Sequence, residues 1–213
     1  MSQLDHPFIL KLNAVAQDKR MVFLYSDMMR CGDLMGILNK FTRLSPDHAR
    51  FYTAQIVLCL QYLHAKNFLY RDLKPENILI GENGYIKMAD FGFVKQVDPH
   101  LRTQTFCGTP EYIAPEIILN QPYHKAVDWY ALGIMVYELL YGRPPFMTQN
   151  DDPMEIFKKV LEEKILFPRN FDKQGKKLVR ALTHRDLTKR LGNLRNGSED
   201  VRNHKFFADI DFE

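Results

Sequence analysis

The sequence predicts an α+β fold, a mostly helical body that carries two small β-hairpins. Three observations lead there. Apolar residues recur at helical spacing between residues 46 and 65 and again beyond residue 126. Short apolar runs, each pair joined by polar turn residues, occur at 8–26 and 78–88. Proline and glycine mark breaks between these segments, as at Pro144-Pro145 and Pro168.

In chain order, residues 8–15 and 21–26 are predicted strands of one hairpin, separated by Gln17-Asp18-Lys19-Arg20. Residues 27–32 form a connector, and 33–39 read as a short helix with Asp33 in its first turn. Ser45 is a cap and Pro46 a first helical residue, where a missing N–H costs nothing, so a long amphipathic helix runs to about Ala65. Residues 78–80 and 85–88 make the second hairpin across Gly81-Glu82-Asn83-Gly84. Residues 90–112, with Pro99, Gly108 and Pro110, read as a long loop, and long loops in compact domains usually serve function. Helices are expected from about Ala126, Pro153 and Lys176, with a last short one over 198–204.

Composition narrows the class. Hydrophobic residues make up 46% and charged residues 26% of the 213-residue chain, as in ordinary globular proteins. The net charge of +3 is too balanced to argue for nucleic acid. Cys31, Cys59 and Cys107 are far apart, which favours reduced thiols and a cytoplasmic setting, with the nucleus also open, over disulfides or zinc. The most apolar run, 126–141, is broken by Asp128 and Glu138, so it reads as a buried helix and not a membrane span.

Residues 70–77, Tyr-Arg-Asp-Leu-Lys-Pro-Glu-Asn, place the carboxylate Asp72, the ammonium Lys74 and the carboxamide Asn77 within six residues. Asp90-Phe91-Gly92 follows one hairpin later, and Ala114-Pro115-Glu116 after that. Phosphoryl transfer asks for metal ligands, an oriented hydroxyl and a cation on the moving phosphoryl group, and these side chains supply such atoms. In that order and spacing the motifs resemble those of eukaryotic protein kinases. The Lys74-Pro75-Glu76 insert, the stretch 103–112 and Asp186-Leu187-Thr188-Lys189-Arg190-Leu191-Gly192 are similar to AGC-type serine/threonine kinases, the group of the cAMP-dependent protein kinases. Tyr70, where most kinases carry histidine, is a variant shared with that basophilic group. The similarity runs from Leu4 to Phe207.

The resemblance implies a protein-kinase-like fold: a remnant of the small lobe (its last two strands) at 1–26, a hinge at 27–32, and a large lobe at 33–213. It implies ATP and Mg²⁺ as cofactors, with Asp72 as catalytic base, Lys74 on the γ-phosphate, Asn77 and Asp90 on the metal, and Thr109 bridging Asp72 and Lys74. Ser26 falls at the gatekeeper position, and Asp27 and Met29 face the adenine edge. Asp33, Glu76 and Leu79 join Asn77 and Asp90 in the nucleotide-binding set. Thr105 matches an activation-loop phosphorylation site whose phosphate would pair with Arg71 and Lys95; the plain alternative is an exposed loop threonine. Glu116 and Arg190 match a buried ion pair, and Asp128 either caps its helix or pins the catalytic-loop backbone.

Substrate selection follows from charge. Glu138 sits in an otherwise apolar helix, so it should face a cation or a cleft, because an unpaired buried carboxylate is expensive. In the family Glu76 and Glu138 bind an arginine two residues before the acceptor, Asp33 helps bind one three residues before, and Phe106, Pro110 and Ile113 line an apolar pocket after it. Protein substrates with basic motifs, a regulatory or inhibitory subunit and an upstream activating kinase are the implied partners.

No Gly-x-Gly-x-x-Gly occurs in these residues, and Met1 falls after the position of the small-lobe helix glutamate, so the expectation is an N-terminally truncated kinase. Two function classes stay open: an ATP-dependent serine/threonine kinase, and a catalytically weak lobe that binds basic peptides or a regulatory subunit. A P-loop NTPase is excluded by the absent Gly-x-x-x-x-Gly-Lys motif, and a histidine-based metallohydrolase by dispersed histidines.

Overall fold

In the computed structural model, residues 4–98, 101–148 and 150–212 are described. The outermost ends of the sequence-derived ranges, at 1–3 and 213, and Pro99 of the long loop lie outside the described residues. The elements are β1 (Leu12–Gln17), β2 (Val22–Ser26), α1 (Leu34–Phe41), α2 (Pro46–Ala65), β3 (Phe68–Leu69), β4 (Ile78–Ile80), β5 (Ile86–Met88) and β6 (Lys95–Gln96). They continue as α3 (Pro115–Ile118), α4 (Ala126–Tyr141), α5 (Pro153–Glu162), α6 (Lys173–Leu182) and α7 (Ser198–Arg202). Single 3₁₀ turns lie at Pro75–Asn77, Pro110–Tyr112 and Lys205–Phe207.

Helix α4 is the centre. Every residue from Ala126 to Leu140 is buried, with α2 and α6 packed against it. Helix α2 begins as its sequence dictates: the Ser45 hydroxyl accepts from the His48 N–H at 3.3 Å, and Pro46 occupies the first turn. Gln55 of α2 accepts from the Ile86 N–H at 2.9 Å, which ties the β4–β5 hairpin to the helical body. Among the described residues no helix is long and apolar enough to cross a membrane.

The α+β expectation holds, with local corrections. The first strand starts at Leu12, not residue 8. Phe8 and Leu10 instead bond both sides of Met88 (2.8 and 2.9 Å), because Ile9 is buried and bridges to Met88 of the second hairpin. Asp33 stands just before α1 and caps it, its carboxylate accepting from the Gly36 N–H at 2.7 Å. Helix α6 starts at Lys173, before the expected Lys176, because the Asp172 carboxylate accepts from Gly175 N–H at 2.6 Å. The loop from 90 to 112 is not structureless: β6 pairs with β3, and Thr103 exchanges two backbone bonds with Tyr123 (3.1 and 2.9 Å). Helix α3, four residues long, had no periodic signal. The last helix stops at Arg202, and His204 then caps a separate 3₁₀ turn through the Phe206 N–H at 3.1 Å.

Candidate active site

Asp128, in the first turn of α4 and 1% exposed, fixes the loop that carries the predicted catalytic residues. One carboxylate oxygen accepts from the Tyr70 N–H (3.0 Å) and lies 2.7 Å from His64 Nε2; the other accepts from the Arg71 N–H (2.8 Å). Of the two sequence readings of Asp128, the geometry is that of the backbone pin. Arg71 is held at a φ of 69°, a left-handed conformation that a non-glycine residue adopts only where its surroundings enforce it.

Asp72 follows at once and is buried. Thr109 donates to its Oδ1 (2.8 Å), Asn77 Nδ2 donates to its Oδ2 (3.0 Å) and to its backbone carbonyl (2.8 Å), and Lys74 Nζ lies 3.2 Å from Oδ2. Lys74 also donates to the Thr109 hydroxyl at 3.0 Å. The four predicted side chains therefore form one hydrogen-bonded cluster across two segments. Gly108 makes it possible: at φ 112° its backbone passes so close that a Cβ would meet the Arg71 carbonyl at 2.9 Å.

Asn77 commits its amide nitrogen to Asp72, which leaves its side-chain carbonyl oxygen as the atom that could serve a metal ion. The Asn77 backbone carbonyl accepts from the Ala89 N–H (2.9 Å), and the Tyr70 hydroxyl donates to the Ala89 carbonyl (2.5 Å), so the segment before Asp90 is tied to the loop. Asp90 is exposed at φ 49°, with one oxygen accepting from the Gly92 N–H at 3.0 Å. Carboxylate and carboxamide oxygens from two residues, with the remaining positions left to phosphate and water, are a donor set that suits Mg²⁺. Among the described residues no three His, Cys, Asp or Glu side chains converge as a metal site.

Glu138 is 3% exposed and accepts a hydrogen bond from the Tyr112 hydroxyl, and among the described residues it forms no ion pair. Desolvation raises its carboxyl to about 7, with repulsion from Glu76 and Glu111 added. Glu111 thus joins the two predicted acids, and its Oε2 is buried without a hydrogen-bond partner. The sequence reading did not single out Glu111, although it lies beside Tyr112 in the quoted stretch 103–112.

The remaining predicted residues fall at three places. Around the predicted hinge, Ser26 ends β2 and is exposed, the Asp27 carboxylate accepts from Asn13 Nδ2 (2.9 Å), and Met29 is half-buried. Asp33 and half-buried Leu79 form an antiparallel bridge beside the Ile80 N–H to Gly32 carbonyl bond of 2.9 Å. Beyond the catalytic loop, exposed Phe106 meets Phe157 edge-on at 5.7 Å, Pro110 is half-buried, and Ile113 is buried. At Thr105, which is exposed, Lys95 Nζ donates to neighbouring Thr103 (2.9 Å), whose hydroxyl is 3.4 Å from that of Thr105. Arg71 donates to the Phe93 carbonyl (2.7 Å) and to Tyr123 Oη (3.2 Å). A cavity of 790 Å³ is lined by Phe8, Met28, Met29, Arg30, Glu82 and Tyr85, so it borders Met29 but none of the clustered polar residues.

The fold is that of a protein kinase lobe, and the chain belongs to the protein kinase family: residues 1–207 match the protein kinase domain. Over its whole length it is 47% identical to a cAMP-dependent protein kinase catalytic subunit of Dictyostelium discoideum, covering 32% of that protein. It is 45% identical to cAMP-dependent protein kinase type 3 of Saccharomyces cerevisiae and 43% identical to the cAMP-dependent protein kinase catalytic subunit PRKX of Homo sapiens, covering 52% and 58% of them. The chain thus spans between about a third and three-fifths of the length of these relatives.

Proposed function

We infer that this chain carries the catalytic lobe of an ATP-dependent serine/threonine kinase that acts on protein substrates with arginines upstream of the acceptor. The bond pattern around Asp72 is the observation that carries the reading. Its Oδ1 is oriented by Thr109 and its Oδ2 by Asn77 and Lys74, a carboxylate held ready to accept the proton of an incoming hydroxyl. Lys74 stabilises charge on the transferring phosphoryl group, and its bond to Thr109 keeps it at the same point. Asn77 and Asp90 would hold Mg²⁺, which when bound neutralises phosphate charge. The hinge near Asp27 and Met29 takes the adenine, with Ser26, Asp33 and Leu79 around it.

Glu76, Glu111 and Glu138 supply the negative ground for a substrate arginine, and Phe106, Pro110 and Ile113 receive an apolar residue after the acceptor. Thr105 is the proposed phosphorylation position, with Arg71 and Lys95 as its cations and a separate kinase as its source. A regulatory subunit whose inhibitory segment mimics such a substrate fits the same acids, and a cytoplasmic or nuclear location goes with this reading.

The test is transfer of labelled phosphate from Mg²⁺–ATP to a serine peptide with arginines two and three residues upstream. Wild type is expected to label the peptide, and Asp72→Asn to lose more than about 100-fold, the loss of an oriented general base. Equal labelling by both would remove Asp72 from the chemistry. Peptide binding by wild type without transfer would move the reading to a binding module.

A further inference from the structure

Two cations stand ready for a phosphate on Thr105, yet both are already engaged by neutral groups. Lys95 is bonded to the Thr103 hydroxyl, and Arg71 to the Phe93 carbonyl and the Tyr123 hydroxyl. Tyr123 is common to most of these ties. Its ring is 1% exposed, and its backbone exchanges two hydrogen bonds with Thr103. Its hydroxyl donates to the Thr105 carbonyl at 2.7 Å while accepting from Arg71 Nη1 at 3.2 Å, and Cys107 Sγ lies 3.9 Å away. Burial pushes its pKa up, so the phenol keeps its proton and can hold both bonds at once.

The consequence reaches Asp72 by short steps. Arg71 immediately precedes Asp72, and its carbonyl is the group against which Gly108 packs. Thr109, next in the chain, bonds the Asp72 carboxylate. The Tyr123 hydroxyl therefore joins the two segments that meet around Asp72, without a hydrogen bond of its own to Asp72, Lys74, Asn77 or Thr109. We propose that Tyr123 is a positioning residue for phosphoryl transfer, whose hydroxyl clamps the 103–109 segment onto Arg71 and sets the Asp72–Thr109 geometry before Thr105 carries any phosphate. The role rests on the kinase reading above and adds to it a tether that works in the unmodified chain.

Tyr123→Phe tests this, because phenylalanine keeps the ring and the backbone bridge and removes only the hydroxyl. In peptide transfer with Mg²⁺–ATP, kcat is expected to fall roughly tenfold, as small misplacements of reacting groups do, while the KM for ATP stays within about twofold. Amide hydrogen exchange over 101–109 is expected to quicken in the variant. Adding Thr105→Glu to Tyr123→Phe should restore part of kcat, since a carboxylate there engages the freed Arg71 directly; a hydroxyl that merely stabilises the fold would not be rescued this way. Unchanged kcat and unchanged exchange in Tyr123→Phe would overturn the tether while leaving the kinase reading in place. A lower melting temperature with unchanged kcat would overturn it too. A wild type without transfer would instead remove the kinase reading and the positioning role with it, and the exchange arm would then decide whether the loop is clamped at all.

Discussion

Desolvation, with Glu76 and Glu111 adding repulsion, raises the Glu138 carboxyl from 4.5 to about 7, and the hydrogen bond from Tyr112 offsets only part of this. The folded chain therefore holds that proton more strongly than the unfolded one. Its stabilising contribution is complete below about pH 4.5 and is lost as pH rises through about 7. The difference amounts to something on the order of 3 kcal/mol at pH 8. Glu138→Gln keeps an acceptor for Tyr112 and never ionises, so its urea midpoint is expected above wild type at pH 8, with the gap closing towards pH 5. Parallel midpoints at both pH values would mean that the carboxyl is not strained by burial. The same variant should bind an arginine peptide more weakly at pH 8, a loss of function exchanged for stability. Sequence showed that Glu138 was out of place in an apolar helix but not what would satisfy it. Tyr112 lies 26 residues away, and only packing brings its hydroxyl there.

At the scale of elements, the Glu116–Arg190 pair fastens α3 to the segment after α6. Arg190 is fully buried and bidentate, with Nη1 to Oε1 at 2.6 Å and Nη2 to Oε2 at 3.0 Å, while Nη1 and Nε also reach the Ala126 and His184 carbonyls at 3.1 and 2.8 Å. Removing one partner strands a buried charge, so Arg190→Ala or Glu116→Ala should each cost about 3–5 kcal/mol in urea unfolding. The double replacement Glu116→Leu with Arg190→Met is expected to recover much of that loss. Additive losses in the double variant would show that the pair is not coupled. Both residues were legible because each sits in a motif. Helices α2 and α4 were legible for a different reason: Ser45-Pro46 marks the start of the first locally, and the second shows as an apolar run from Ala126. The pairing of β3 with β6 was not, because two-residue strands are made by the loop's return to Asn67, whose carbonyl accepts from Val97 N–H at 2.9 Å.

Across the molecule, burial is uneven in a way that orders local stability. Helix α4 is buried throughout its length to Leu140, whereas β2 is exposed at every residue and β1 at all but its first. The two strands bond chiefly to each other, and a lone hairpin is marginal in water. The anchor of this N-terminal region is instead Phe8–Ile9, where the Cys59 thiol donates to the Phe8 carbonyl at 3.1 Å and Met88 completes the pairing. That division was hidden in the sequence, because residues 8–15 read as one apolar run; which half is buried depends on Met88, some eighty residues on. Opening of β1 and β2 should therefore be local, with the rest of the fold intact. Amides of Ala14–Ala16 and Phe23–Tyr25 are expected to exchange at least roughly 100-fold faster than those of α2 and α4, while the Met88 and Leu10 amides track the helical body. Residue-resolved exchange under native conditions reads this directly. Equal protection across β1, β2 and α4 would mean that the hairpin belongs to the same cooperative unit as the core, and that its exposed Val22 and Leu24 are held by something more than the partner strand.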